Sequence, residues 1–167
     1  MIFNYLEQTQ IIMKKIVIFS ASLLLSLTFV FAQKNNSSNY TNAIGLKFYP
    51  TGITFKHFFN EKNSGELIGY FYNYGTRITG LYEINFDISA VDGLGWYVGP
   101  GAHIGFFDTK HGGGTSLGVD GVIGLDYKFS EIPLNLSLDF QPSFELSTYY
   151  GDNRFSGWGG LGIRYTF

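Results

Sequence analysis

Apolar and polar residues alternate one by one along most of this chain, and the alternation is longest over residues 134–148. Leu134, Leu136, Leu138, Phe140, Phe144 and Leu146 fall on one side of an extended chain. Asn135, Ser137, Asp139, Gln141, Ser143, Glu145 and Ser147 fall on the other. A helix, with 3.6 residues per turn, would mix the two sets around its circumference, whereas a strand separates them. The same period recurs three times. Leu117, Val119, Ile123, Leu125, Tyr127 and Phe129 alternate with Gly118, Asp120, Gly124, Asp126 and Lys128; Ile78, Tyr82, Ile84, Phe86 and Ile88 with Arg77, Thr79, Glu83, Asn85 and Asp87; Phe155, Leu161, Ile163, Tyr165 and Phe167 with Ser156, Gly160, Gly162, Arg164 and Thr166. Shorter versions lie at 43–49, 52–59 and 94–107, while 66–73 is ambiguous because both of its faces carry apolar residues. The segments are separated by turn-forming residues at 50–52, 60–65, 73–76, 89–93, 109–115, 130–133 and 148–154. The prediction is an all-β chain of eight antiparallel strands running from Ala43 to Phe167.

The residues ahead of the strands read as export and linker segments. Lys14 and Lys15 precede Ile16–Phe31, which carries no charge, and Val30-Phe31-Ala32 supplies the compact residues of a cleavage site before Gln33. The pattern is that of a cleaved signal peptide over residues 1–32. A membrane-anchoring helix is the other reading, and the apolar run falls short of the roughly 20 residues that crossing requires. Met13 is a natural start, so residues 1–12 read as an over-extended beginning. Residues 33–42 are expected to form a polar, poorly ordered tail.

Composition narrows the class. The chain is 19% aromatic and 14% charged, with 22 glycines and 4 prolines; soluble domains average roughly 25% charged residues. A net charge of -2 offers no basic face for nucleic acid. Without cysteine there is no disulfide, thiolate metal site or lipidated cysteine anchor. A soluble barrel would show the same alternation with its apolar face turned inward. Two features favour a transmembrane barrel with the polar face inward. Aromatic residues gather near strand ends on the apolar face, with Phe86, Trp96, Tyr127, Phe129, Tyr165 and Phe167 at one end and Phe106, Phe144, Tyr150 and Phe155 at the other. Rings of this kind settle at bilayer headgroup level. An export signal without cysteine fits passage beyond an inner membrane.

Four segments carry a resemblance: "AIGLKFYPTGITFKHFF", "GWYVGPGAHIGFF", "GVDGVIGLDYKFSEIPLNLSLDF" and the terminal "GLGIRYTF". Over Ala43–Phe167 the chain resembles small outer-membrane β-barrel proteins of Gram-negative bacteria, often grouped as porin-like or as OmpA-membrane-domain-like. The resemblance implies an eight-stranded up-and-down transmembrane β-barrel in the outer membrane, in contact with lipid and inserted by the barrel-assembly machinery. It implies that the last strand is the assembly signal, through Gly162, Tyr165 and Phe167; Gly160 departs from the polar residue the family places there.

An eight-stranded barrel has a lumen that side chains can fill. Strand parity turns Lys47, Lys56, Arg77, Lys128 and Arg164 inward, against Glu83, Asp87, Asp120, Asp126, Asp139 and Glu145. Charges in so narrow a space require partners, so a cross-linked polar network is expected in place of an open channel. Inward Gly99, Gly101 and Gly105 leave room for water or for rings such as Tyr97 and Phe107. His103 also faces inward, as a hydrogen-bonded lumen residue or as a partner of Glu83.

Motifs of enzymes fail on context. His111–Gly114 and Gly114-Thr115-Ser116-Leu117-Gly118 imitate an oxyanion loop and a nucleophile elbow, yet a strand follows where a helix is needed and every histidine precedes Ser116. Residues 157–162 match G-x-G-x-x-G within a strand, where small residues ease packing. Asp108 and His111 are two metal ligands without a third. The expectation is therefore a monomeric, non-enzymatic barrel with no cofactor and no metal, structural or surface-interacting. A narrow pore or small-solute transporter is the alternative. A lipid-modifying barrel enzyme, for which His57 is the outward candidate, and a soluble lipocalin-like carrier are the remaining rivals.

Overall fold

The computed structural model describes residues 40–73, 75–107, 113–147 and 155–167, all within the unit Asn35–Phe167. They form eight strands: β1 (Asn42–Phe48), β2 (Gly52–Phe58), β3 (Asn63–Tyr72), β4 (Gly75–Asp87), β5 (Leu94–Phe107), β6 (Gly114–Lys128), β7 (Leu134–Ser147) and β8 (Phe155–Thr166). Each strand pairs antiparallel with its sequence neighbours, and β8 pairs with β1 to close the barrel. Closure leaves no full-length edge strand. The seam is fastened where the start of β1 meets the end of β8, by Asn42 N–H on the Phe167 carbonyl at 2.9 Å and Phe167 N–H on that of Asn42 at 2.8 Å.

The ambiguous segment 66–73 belongs mostly to β3 and alternates like the others. Ser64, Glu66, Ile68 and Tyr70 are buried inside the barrel, while Leu67 and Phe71 are exposed outside. Its period was masked because Ile68 and Tyr70 are apolar residues facing the lumen. Strand ends also differ from the turn chemistry. β3 starts at Asn63 and β4 at Gly75, inside the stretches that read as connections. Of residues 33–42 only 40–42 are described, and there Tyr40 is buried, its ring edge-on to Phe58 at 5.1 Å; residues 1–39, with the export segment, lie outside the described residues. The loop residues Asp108, His111 and Tyr150 lie outside the described residues.

Two prolines interrupt the ladders. β4–β5 pairing skips from Leu81↔Gly101 to Ile84↔Val98 around Pro100. The β6–β7 ladder likewise skips from Asp120↔Ser143 to Ile123↔Phe140 around Pro142. Proline has no N–H to donate, so the ladder loses a bond wherever its nitrogen faces a neighbouring strand.

The exterior and interior are chemically opposite. Leu46, Ile53, Ile123, Leu138, Phe140 and Leu146 are half-exposed on the outer wall, whereas Lys47, Lys56, Arg77, Glu83 and Arg164 are each at most 1% exposed in the lumen. At the end where β1 begins and β8 finishes, outward rings pair as Phe86–Trp96 (4.5 Å), Tyr127–Phe129 (4.8 Å) and Tyr165–Phe167 (6.2 Å). Phe106, Phe144 and Phe155 are exposed at the other, distal end.

The candidate functional site is a filled lumen

The lumen contents fall into two charged clusters joined by a mixed middle layer. Nearest the Asn42–Phe167 end, the Lys56 ammonium lies 2.9 Å from Glu83 Oε2 and donates to Asn85 Oδ1 at 3.1 Å. Ser64 Oγ donates to Glu83 at 3.0 Å, and Asn85 Nδ2 donates to Ser64 Oγ at 2.8 Å. Across the lumen, Arg164 pairs with Glu66, donates to Asn135 Oδ1 at 3.0 Å and lies 3.6 Å from Asp126. Asn135 Nδ2 donates to Asp126 Oδ2 at 2.7 Å. Glu66 also accepts from the Thr54 hydroxyl and lies 3.9 Å from Lys47.

In the middle layer Asp139 is the acceptor on which three donors converge. Lys47 Nζ donates at 2.5 Å, Tyr97 OH at 2.7 Å and Gln141 Nε2 at 3.0 Å. Tyr70 OH donates to Gln141 at 3.0 Å, which ties the opposite wall into the same chain. Ile68, Tyr70, Leu81, Tyr97 and Val122 pack together here, with Trp158 against them. Lys56 lies 4.5 Å from the Tyr97 ring centroid, so that ring serves both layers.

Towards the distal end, Arg77 pairs with Asp120 and donates to Ser143 Oγ at 2.9 Å and Thr79 Oγ1 at 3.1 Å. Its guanidinium lies 4.3 Å from the Trp158 ring. His103 sits between two carboxylates, with Nδ1 2.9 Å from Asp120 and Nε2 2.9 Å from Glu145. Its partner is therefore not Glu83. The register sets His103 opposite Thr79, and Glu83, four residues further along β4, is held by Lys56 and Ser64.

Two parity-assigned residues sit at the rim of the Asn42–Phe167 end. Asp87 is exposed at the end of β4. Lys128 donates to the carbonyl of Ile132 at 3.0 Å and to that of Phe129. Glu66, overlooked in the ambiguous segment, is instead the carboxylate that joins Arg164 to Lys47. A signal for it existed: a lone acid two positions before Ile68 on the same face.

Glycines make room for these rings. A Cβ at Gly118 would collide with the His103 ring, and one at Gly124 would lie 2.6 Å from Tyr97 Cζ. Gly105 sits beside Ser116 and Gly101 beside Leu81, so side chains from neighbouring strands occupy those spaces. Phe107 closes β5, opposite Gly75 and Gly114.

The remaining candidates lie elsewhere. His57 Nδ1 is 2.8 Å from Asn42 Oδ1, and its ring lies edge-on to Phe59. Ser116 is buried within β6, in a strand with no helix behind it. Among the described residues no group of three or more His, Asp or Glu side chains is placed to hold a metal ion. In the terminal strand Tyr165 and Phe167 face outward and Gly162 faces in against Ser137.

These features define a class, a closed antiparallel eight-stranded barrel with a charged, cross-linked interior and an apolar outer wall. No family model, curated protein or solved structure matches the chain.

Proposed function

We propose that this chain is an integral outer-membrane β-barrel protein, structural or surface-interacting, whose lumen is filled by side chains and does not conduct. The observation that carries the reading is the inverted distribution of polarity. Lys47, Lys56, Glu66, Arg77, Glu83 and Arg164 are buried inside at 0–2% exposure and Asp120, Asp126 and Asp139 at 7–9%, while Ile, Leu and Phe line the outside at about half exposure. A barrel in water gains by the opposite arrangement, because monomeric soluble proteins rarely expose contiguous apolar patches beyond a few hundred Å². In lipid the outward apolar wall is the solvated one, and closure satisfies the backbone. A lipocalin-like carrier would need an apolar cavity where this barrel holds ion pairs.

The absence of conductance rests on the paired interior: lysine and arginine side chains cross the lumen and end on carboxylates from other strands. The reading assigns the barrel no reaction. It takes lipid and, during biogenesis, the assembly machinery as partners, with the terminal strand and its Gly162, Tyr165 and Phe167 as the address.

The test is single-channel recording of the refolded protein in a planar bilayer, with heat-modifiable gel migration confirming the folded barrel. Folded protein is expected to be silent. Steady, reproducible steps would replace the filled-lumen reading with a pore, and a chain that stays soluble without detergent would overturn the membrane reading itself.

A further inference from the structure

The barrel wall is not of even height. β1 and β2 have 7 residues each, whereas β4 has 13, β5 14, β6 15, β7 14 and β8 12. At about 3.3 Å per residue and a tilt of about 40°, seven residues rise roughly 18 Å, against an apolar band of about 25 Å. Fifteen residues rise roughly 38 Å on the same basis. The deficit falls at the distal end, because at the other end Asn42 is bonded to Phe167.

The ladders show where the wall is missing. β8 pairs with β1 only as far as Phe48↔Leu161, yet it continues to Phe155, paired with β7 alone. At that point Gly159 and Gly160 take φ of 121° and 137°, a bend that L side chains resist. A Cβ at Gly160 would collide with the Phe48 carbonyl, so the strand turns hard against the end of β1. On the other flank β2 pairs with β3 up to Gly52↔Tyr70, and Phe71 N–H bonds the Thr51 carbonyl at 2.9 Å. Beyond it Tyr72 pairs only with β4. Above the turn at 49–51, β8 and β3 therefore face each other with no strand between them among the described residues. The gap is bridged by side chains: the Trp158 ring lies 5.4 Å from that of Tyr70 and 5.5 Å from that of Tyr72.

We propose that this notch is a lateral binding site for one lipid, whose acyl chain lies in the gap between β8 and β3 against Trp158 and Tyr72. The proposal rests on the membrane reading above. Three observations select a lipid chain. A wall of roughly 18 Å ends inside an apolar band of about 25 Å, so the opening faces acyl chains. The outward residues that frame it, Phe48, Phe71 and Leu161, are apolar and 42–50% exposed, and Tyr49 is 94% exposed at the turn. No charge stands among these four, and Arg77, behind Trp158, is 1% exposed. A peptide strand added to the free flank of β8 is disfavoured, because the bend at Gly159–Gly160 breaks the straight ladder such pairing needs.

The chain has two tryptophans, and they divide the question. Trp96 lies on the outer wall, stacked on Phe86, and reports insertion; Trp158 reports the notch. Trp96→Phe and Trp158→Phe are refolded into vesicles of phosphatidylcholine with brominated or unbrominated chains. Brominated chains are expected to quench Trp158, in the Trp96→Phe protein, by a loss comparable to that of Trp96 in the Trp158→Phe protein. In a further Trp96→Phe variant, β1 and β2 are each lengthened by two alternating residues at the turn, and the Trp158 loss should disappear. Trp96 quenched with Trp158 unaffected would overturn the notch alone. Quenching that survives the lengthened hairpin would do the same, since the bromines would then be acting through an intact wall. Neither tryptophan quenched would overturn the membrane reading, and the site with it.

Discussion

Arg164 is fully buried and meets three strands at once, through Glu66 on β3, Asp126 on β6 and Asn135 on β7. Replacing it by methionine keeps most of the side-chain length and removes the charge. At the 3.6 Å separating Arg164 Nη1 from Asp126 Oδ1, two unit charges attract by about 4.6 kcal/mol at an effective dielectric near 20. The Glu66 contact is closer still. Desolvation of both partners offsets part of this, and removing one member of a buried pair costs about 3–5 kcal/mol, because the other charge stays behind uncompensated. On a total stability of roughly 5–15 kcal/mol, Arg164→Met should fold and unfold at a much lower urea concentration. Glu66→Leu should lose a similar amount, leaving Arg164 with Asp126 and Asn135 alone. The double variant Glu66→Leu/Arg164→Met removes both charges and should be more stable than either single one, with a coupling of about 2 kcal/mol or more. The assay is equilibrium urea unfolding in lipid vesicles, followed by tryptophan emission and by gel mobility. Additive losses, or single losses below about 1 kcal/mol, would show that the lumen pairs are water-screened and refute the argument.

Gly118→Ala should cost about 1–3 kcal/mol or more, since the new methyl meets both the His103 ring and the Phe144 backbone carbonyl; His103→Ala made with it should recover only the part due to the ring in the same unfolding assay. His103→Leu leaves Asp120 and Glu145 facing an apolar side chain, and should destabilise by about 1–3 kcal/mol through their lost hydrogen bonds, against less for His103→Gln; equal effects would rule out the hydrogen bonds as the cause. Leu138→Arg, 58% exposed on the outer wall, should cost about 2–4 kcal/mol in vesicles if it faces the bilayer midplane. A neutral result there would count against lipid on that wall.

What the amino-acid order determined alone is the local conformation and the two faces of each strand. Side chains in a strand alternate with period two, so Leu134–Leu146 separates from Asn135–Glu145 whatever surrounds it. Glycine and proline between such runs marked the reversals, and adjacency of successive antiparallel strands makes an up-and-down order the simple one. Period two carries no sign, however: the same alternation describes a barrel with its apolar face inward or outward, and the closed sheet decided which face was enclosed. It carries no axial coordinate either. Parity could set His103 on the same face as Glu83, but only the stagger of β4, β5, β6 and β7 placed Asp120 and Glu145 at its two nitrogens. The same limit hid Glu66, whose neighbours Ile68 and Tyr70 blurred the period of β3; the apolar layer they form exists only once the opposite walls meet. The notch above the β1–β2 turn belongs wholly to the tertiary structure. Seven-residue strands are unremarkable in sequence, and their shortness matters only beside the taller β8 and β3, where one tryptophan spans the space that a strand leaves open.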